Sequence, residues 1–399
     1  MHEILNKVDC CGCSACFSAC PTKAIEMRPD DEGFYYPTVI KELCINCQLC
    51  EKVCPMNVDV DTAPEQERKG YIVRSKNETV LMDSSSGGSF TPIARWIIQH
   101  GGIICAATYD KNKVVVHRLS EDIDSLPSFR GSKYVQSNMG SCFQQIKAEL
   151  QTGRLIAFFG TTCQVYGLKQ YLNKEYDNLF CVDLVCHGTP SPKLWEKYVK
   201  YHENKEKAPI SNINFRSKKY GYHVGSLTLE FENGKRYCAS ARTDYMLRAF
   251  FSEIASRPSC YQCHFKTVNR CSDLTVYDAW HAAELNNKIK DDDKGFTHVI
   301  VHTASGHAML REILDSIDVY EEDYKKAIEL DGPMVEKSAV VHEKRNQFYA
   351  ELDNYTLPRL IRIFVPIRFK DRAIDLFKAV VYKTPILKFI RVIRNRHRV

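Results

Sequence analysis

The stretch Cys10-Cys11-Gly12-Cys13-Ser14-Ala15-Cys16-Phe17-Ser18-Ala19-Cys20-Pro21 recurs as Cys44-Ile45-Asn46-Cys47-Gln48-Leu49-Cys50-Glu51-Lys52-Val53-Cys54-Pro55. Both copies fit C-x2-C-x2-C-x3-C-P, a run that binds cubane 4Fe-4S clusters and in which the fourth cysteine ligates the other cluster. That rule assigns Cys10, Cys13, Cys16 and Cys54 to cluster 1, and Cys44, Cys47, Cys50 and Cys20 to cluster 2. Two-residue gaps let a tight loop wrap three thiolates around one cubane, with backbone N–H groups turned toward the negative cluster. The three-residue gap carries the fourth thiolate on a short helical turn, which Pro21 and Pro55 end. Cys11 fits neither register and reads as an ordinary buried or partly exposed thiol. Zinc sites show paired C-x2-C knuckles rather than triplets followed by Cys-Pro, so zinc and a disulfide scaffold are the weaker readings.

Around this repeat the sequence is that of an ordinary globular protein. The chain has 399 residues, 26% charged and 44% hydrophobic, and nine of its 18 cysteines precede residue 55. No apolar core follows Met1-His2-Glu3-Ile4-Leu5-Asn6-Lys7, so no secretory leader is expected. The cysteines therefore read as reduced metal ligands in an anaerobic, cytoplasmic setting. No apolar run approaches the length of a membrane span.

Residues Ala24–Met27 and Phe34–Val39 read as short strands around a turn, giving an α+β ferredoxin-like module over 1–56. Residues 57–69 are acidic, lack an apolar pattern and read as a linker. From 70 to 330 the pattern is a larger α/β domain with a mixed, partly parallel sheet. Leu155–Phe159 is a fully apolar strand, as in a buried parallel sheet. It runs through Gly160-Thr161-Thr162-Cys163-Gln164 into a helix to about Leu172, and Leu179–Val185 is the next strand. Leu227–Phe231 and Lys235–Cys238 around Asn233-Gly234 form a hairpin. Ala308–Ile317 reads as helical.

This βαβ unit places Cys163 and Cys186 at the carboxyl ends of neighbouring parallel strands, the edge where open α/β sheets bind ligands. The chelating pair Cys260-x2-Cys263 lies in a separate loop that could fold over that edge. The four thiols suffice for a third cubane, with Cys271 in reserve, although cysteine is often buried simply as a small hydrophobe.

Gly160-Thr161-Thr162-Cys163-Gln164, Cys186-His187-Gly188, Ser191-Pro192, Arg257-Pro258-Ser259-Cys260-Tyr261-Gln262-Cys263 and Ser272-Asp273-Leu274-Thr275 resemble the coenzyme F420 (deazaflavin) hydrogenase/dehydrogenase β-subunit family. So do Ser86-Gly87-Gly88 and Gly131-Ser132-Lys133-Tyr134-Val135-Gln136-Ser137. The resemblance covers residues 1 to about 315, and it implies an iron–sulfur flavoprotein that passes electrons between clusters, a flavin and a hydride-accepting substrate. Two segments depart from the family. Thr162 stands where it usually has proline, and Tyr277-Asp278-Ala279-Trp280-His281 stands for its Gly-Asp-Phe-Trp-Gly. Loss of both glycines removes backbone room for a ring system, which favours FAD or FMN over coenzyme F420.

For the flavin the candidate loops are Ser86, Gly87, Gly88 and Ser89 before a helix, and Gly131, Ser132 and Lys133, joined by Gly160, Thr161 and Gln164. The first loop offers helix N-terminal N–H groups to phosphate, and Lys133 offers a cation to a phosphate or to the ring. No Gly-x-Gly-x-x-Gly run is present, so direct nicotinamide binding is not expected.

The basic helical tail spans residues 331–399. From Pro358 onward it carries twelve Lys/Arg and two Asp, so it holds +10 while residues 1–357 sum to −4. One reading is an amphipathic surface that touches the inner face of the cytoplasmic membrane through residues 358–399. The other is a helical extension packed on the body. Nucleic acid is not expected as a partner. The implied partners are reduced ferredoxin or a similar carrier, and a partner enzyme if the chain is an electron-transfer subunit without chemistry of its own.

Overall fold

A computed structural model describes residues 6–60 and 68–382, with side chains to 377. Most of the expected linker, and the tail beyond residue 382, lie outside the described residues. In the first sixty residues β1 (Ile25–Pro29) and β2 (Tyr35–Val39) form a two-stranded antiparallel ribbon. Each cysteine run leads into a short helix, Ala15–Ala19 and Leu49–Lys52.

The larger region is built on an eight-stranded sheet with order β13-β3-β12-β11-β7-β6-β4-β5. Its strands are β3 (Lys69–Ser75), β4 (Ile103–Tyr109), β5 (Val115–Ser120), β6 (Ile156–Thr161), β7 (Leu179–Leu184), β11 (Leu274–Asp278), β12 (Thr297–Val301) and β13 (Ile317–Glu322). The inner four, β4, β6, β7 and β11, are parallel, whereas the outer neighbours pair antiparallel. The mixed, partly parallel sheet is thus present. Its parallel centre is apolar because helices cover both faces: in β6 Ile156, Ala157 and Phe158 are fully buried.

A second sheet, β10-β9-β8, contains β8 (Ile210–Ser217), β9 (Ser226–Phe231) and β10 (Arg236–Ser240). It packs with the helices Pro192–Glu206, Tyr245–Phe251, Arg345–Ala350 and Leu357–Phe364 around Trp195, Phe215, Phe348 and Leu360. The body therefore continues through Val365, and a tail boundary at 331 cuts through packed structure. The helix expected to reach Ile317 ends at Glu312, and Ile317 opens β13 instead.

Candidate iron–sulfur and cofactor site

The two cysteine runs repeat in backbone as well as in sequence. Gly12 and Ser14 flank Cys13 with φ of +71° and +69°, and Asn46 and Gln48 flank Cys47 with +55° and +60°. Paired left-handed residues turn successive N–H groups to one side, the conformation that makes an anion-binding nest. Cys10, Cys13, Cys16 and Cys54 all line one small apolar cavity of about 20 Å3. Burial pushes the Cys16 and Cys54 thiols up, and charge on Cys10 adds to both. Of the cluster 2 set, Cys47 is exposed while Cys20, Cys44 and Cys50 are half-buried. Cys47 and Cys50 interact, and Cys20 Sγ accepts the Ala24 N–H at 3.2 Å.

This module is fixed to the larger region. Gln136 accepts the Tyr35 N–H at 3.0 Å, and Arg345 pairs with Glu32 at 2.5 Å. Arg257 is fully buried; it donates to the carbonyls of Cys10 (2.7 Å) and Tyr35 (3.1 Å) and stacks 3.9 Å from the Tyr36 ring. A Cβ on Gly12 would stand 2.5 Å from Gln136 Nε2. On the helix Thr162–Leu172, a Cβ on Gly167 would stand 2.9 Å from Cys13 Sγ. Only glycine allows so close an approach at either position.

Beyond that contact lies a cavity of about 600 Å3, lined by Cys163, Cys186, Cys260 and Cys263 together. The parallel strands β6 and β7 deliver the first two, and the loop after the helix Tyr245–Phe251 delivers the other pair. Burial raises Cys186, Cys260 and Cys263, the last to about 11, and neighbouring thiols of the set add to each. Cys163 is raised by its hydrogen bond with Cys11 and then by burial. Thiols that resist ionising in an apolar pocket become thiolates readily only with a metal among them. The set fits a cubane on this ground. Among the described residues no three His, Cys, Asp or Glu side chains could hold a metal ion; a cubane spreads its ligands over several corners instead. Cys271 does not line the cavity, and its thiol neighbours Lys169.

Cys11 is half-buried, as its sequence reading allows, and it lines the large cavity as a fifth thiol; its thiol interacts with those of Cys13 and Cys163.

The same cavity is lined by the two Ser/Gly loops. They meet at Ser85 and Ser132, whose hydroxyls are 2.9 Å apart, while the Ser132 N–H donates to Ser85 at 2.8 Å. Ser86, Gly88, Ser89, Gly131, Ser132, Gly160 and Thr161 line the cavity. Ser89 starts the helix Phe90–Gln99 without capping it through its side chain, so first-turn N–H groups stay open to an anion. The volume suits a cofactor, and these loops fit a flavin's phosphate and ring.

Three assignments change. Gly87 does not line the cavity: it bonds Thr297 Oγ1 (2.8 Å) through its N–H and Ser75 N (2.7 Å) through its carbonyl. Lys133 lines the cavity, but Nζ donates to the carbonyls of Phe129, Arg130 and Gly131 at 2.9–3.1 Å. An ammonium has three donors, so none is left for phosphate, and burial lowers its pKa to about 7. Gln164 reaches the cavity edge, yet its Oε1 caps Thr161 N–H at 2.9 Å and its Nε2 donates to Ser137.

Both departures from the family pattern have partners. Thr162 Oγ1 accepts from buried Arg270, which also pairs with Asp183 at 3.0 Å. Asp278 accepts from Arg216 (2.9 Å) and Tyr222 (3.1 Å), and Trp280 stacks on Tyr222 at 4.3 Å. His281 bonds Asp331, which His298 links to Glu322. Residues 277–281 thus build a filled aromatic wall where the family pattern has glycines. Lys266, missed in the sequence, donates to the Cys186 carbonyl beside the thiols, and burial lowers its pKa. A lysine between turn residues gives no signal of its own.

Residues 153–327 match the family model for the C-terminal part of the coenzyme F420 hydrogenase/dehydrogenase beta subunit. That segment, a little under half of the chain, belongs to the coenzyme F420 hydrogenase/dehydrogenase β-subunit family. In front of that match, residues 9–58 match the model of a 4Fe-4S dicluster domain. An uncharacterized ferredoxin of Methanocaldococcus jannaschii is 35% identical over 54 residues, 14% of this chain and 69% of that protein. A ferredoxin of Alicyclobacillus acidocaldarius is 38% identical over 64 residues, 16% of this chain and 74% of that protein. The ketoisovalerate oxidoreductase subunit VorC of Methanothermobacter marburgensis is 32% identical over 56 residues, 14% of this chain and 71% of that protein. Among solved structures, the F420-reducing NiFe hydrogenase complex of Methanosarcina barkeri aligns with a TM-score of 0.44 and 15% identity, over 72% of this chain and 87% of that one. The F420 β-subunit match and the ferredoxin match together make the chain an iron–sulfur oxidoreductase protein that transfers electrons through 4Fe-4S clusters.

Proposed function

We propose that the protein is an iron–sulfur flavoprotein oxidoreductase. A reduced ferredoxin or similar carrier supplies electrons to clusters 1 and 2, ligated as the cysteine runs dictate. A third cluster on Cys163, Cys186, Cys260 and Cys263 adjoins a flavin, and a substrate enters the same cavity. The observation that carries this reading is that cavity: the four thiols and the tied Ser/Gly loops line the same space, and Cys11 and Gly12 of the ferredoxin module line it too.

The chain's residues divide the work. The loops at 84–89 and 131–132 would hold phosphate and ring, with FAD or FMN as the candidates. A flavin, when bound, joins one-electron supply to two-electron chemistry. Trp280 and Tyr222 close the end where a deazaflavin would need room, which disfavours coenzyme F420. Lys266 and Arg257 place positive charge near the thiol set and offset charge there. At the outer face, exposed Cys47 is flanked by exposed Leu43, Ile45 and Leu49, a surface suited to a carrier.

A second reading is an electron-transfer subunit serving a partner enzyme, favoured because the matched family is described as a β-subunit. Anaerobic purification with iron, sulfide and flavin counts separates the two. About twelve irons with one flavin support the enzyme, at four irons per cubane. About eight irons and no flavin would replace it with the subunit reading.

We take residues 6–60 as the ferredoxin domain and residues 68–365 as the flavin domain, in a cytoplasmic protein. No helix among the described residues is long and apolar enough to cross a membrane. The helix Phe369–Tyr382 exposes Phe369, Leu376 and Phe377, and we propose that it rests on anionic membrane. The triple change of these residues to Ser should lower flotation with anionic vesicles; unchanged flotation would remove the membrane contact.

A further inference from the structure

A row of titratable side chains runs behind the wall at residues 277–281. His298 of β12 is fully buried, with Nδ1 2.7 Å from Glu322 and Nε2 2.8 Å from Asp331. Asp331 ends the helix Tyr324–Asp331 and is bonded by His281 twice, through the backbone N–H at 2.9 Å and through Nδ1 at 2.5 Å. Of the two imidazoles on this carboxylate, only that of His281 reaches solvent: its side chain is 40% exposed, against 0% for His298. Past His298 the row stops at buried Glu322.

Asp331 lines the large cavity, whereas His281 does not. The carboxylate therefore joins the cavity to the outer imidazole. It is itself fully buried, so bulk water does not reach it and its protons come through its bonded partners. Each electron that arrives in the cavity adds negative charge near Asp331, and a like charge favours the protonated carboxyl. Imidazole is the side chain that gains and loses a proton near neutral pH, which suits His281 to refill that carboxyl from solvent. His281 also stands where the family pattern has a glycine, so this outer station is a feature of this chain.

We propose that His281 and Asp331 are the proton entry of the cavity. His281 takes a proton from solvent and hands it across the Nδ1–Oδ1 bond to Asp331, which passes it to the group being reduced. His298 holds the carboxylate in place and conducts nothing outward. The step balances: two electrons from two molecules of a reduced one-electron carrier and two protons from solvent convert the acceptor to its dihydro form, and two oxidised carriers leave. This rests on the flavoprotein reading above, which supplies the two-electron acceptor.

The test is anaerobic single-turnover reduction of the full-length holoprotein by reduced methyl viologen, a one-electron donor that releases no proton. Flavin bleaching is followed by stopped flow and cluster reduction by freeze-quench EPR. In His281→Ala we expect unchanged flavin content, clusters reduced at the wild-type rate, and flavin bleaching slowed about a hundredfold. Added free imidazole should restore the bleaching rate. His281→Gln, which keeps a donor to Asp331 but carries no exchangeable charge, should be equally slow. Wild-type bleaching in either variant would overturn the proposal. So would slowing that imidazole leaves in place, equal slowing of the clusters, or loss of flavin from His281→Ala, since each makes the pair structural. Wild-type protein without flavin would instead sink the reading beneath it, so the two failures are distinguishable.

Discussion

The two thiol sites are built in opposite ways. The first eight candidate ligands lie within 45 residues, on loops whose backbone repeats the same left-handed pair. The other four come from residues 163 to 263 and converge only because β6 and β7 are parallel neighbours and a distant loop folds over their ends. One site is written in local spacing and the other in topology. The local site should therefore tolerate damage to the sheet, whereas the assembled site should not.

The sharpest way to break that contrast is a residue that ligates nothing. Asp183 is fully buried in β7 and pairs with buried Arg270, which in turn holds Thr162 beside Cys163. Asp183→Asn leaves a buried guanidinium without its charge partner, a loss of about 3–5 kcal/mol. We expect it to remove the third site's irons while the ferredoxin module keeps its own. Parallel loss of all iron would erase the distinction between the sites.

Arg257 joins the two regions and comes next in size. Arg257→Gln abandons bonds to the carbonyls of Cys10 and Tyr35, a cost of roughly 1.5–3 kcal/mol for a charged donor. Hydrogen exchange should rise at residues 10–36 and stay flat across β4 and β6. Gly167→Ala acts on the same interface from the other side. Its methyl group would overlap Cys13, and overpacking of this kind costs about 1–3 kcal/mol. A lower thermal midpoint with unchanged iron content is the expected result; an unchanged midpoint would mean that the module floats on the helix.

How much of this was legible follows the same division. The repeat at 10–54 needs no fold to be read, and β6 with β7 shows as short apolar runs ending in Gly-Thr and Cys-His-Gly. By contrast, β8 reads Ile-Ser-Asn-Ile-Asn-Phe-Arg-Ser, and its bulged pairing with β9 blurs the alternation. β13 hides at the end of an apparent helix because its edge position tolerates Asp318 and Glu321. The segment Leu357–Phe364 looks like basic tail in sequence. Its burial comes from packing against the helices Pro192–Glu206 and Tyr245–Phe251, more than a hundred residues away. Cys11 escapes a reading in which spacing alone assigns ligands; its neighbour Cys163 is supplied by the docking of two regions, which no local pattern encodes.

Acid should separate the regions more gently. Burial lowers His117, His202 and His302 to about 4, and all three lie in the larger region, whereas residues 6–60 contain no histidine. A folded pKa below the ordinary 6.5 means that the unfolded chain binds more protons between pH 6.5 and 4. Stability therefore falls as pH falls through that window, by at most about 1.4 kcal/mol per pH unit for each group. His298 works in the other direction. Burial opposes its charge, but bonds to Asp331 and Glu322 win and raise it, so its contribution is complete below pH 6.5 and is lost only as pH rises through the raised value. His202 isolates the effect because neither ring nitrogen has a partner and it sits among Tyr198, Tyr201 and Tyr237. His202→Phe loses no hydrogen bond and removes one titrating group. Denaturant midpoints measured from pH 6.5 to 4 should show a slope smaller by up to one proton in this variant. An identical slope would mean that His202 takes up its proton in the folded state, against the burial that surrounds it.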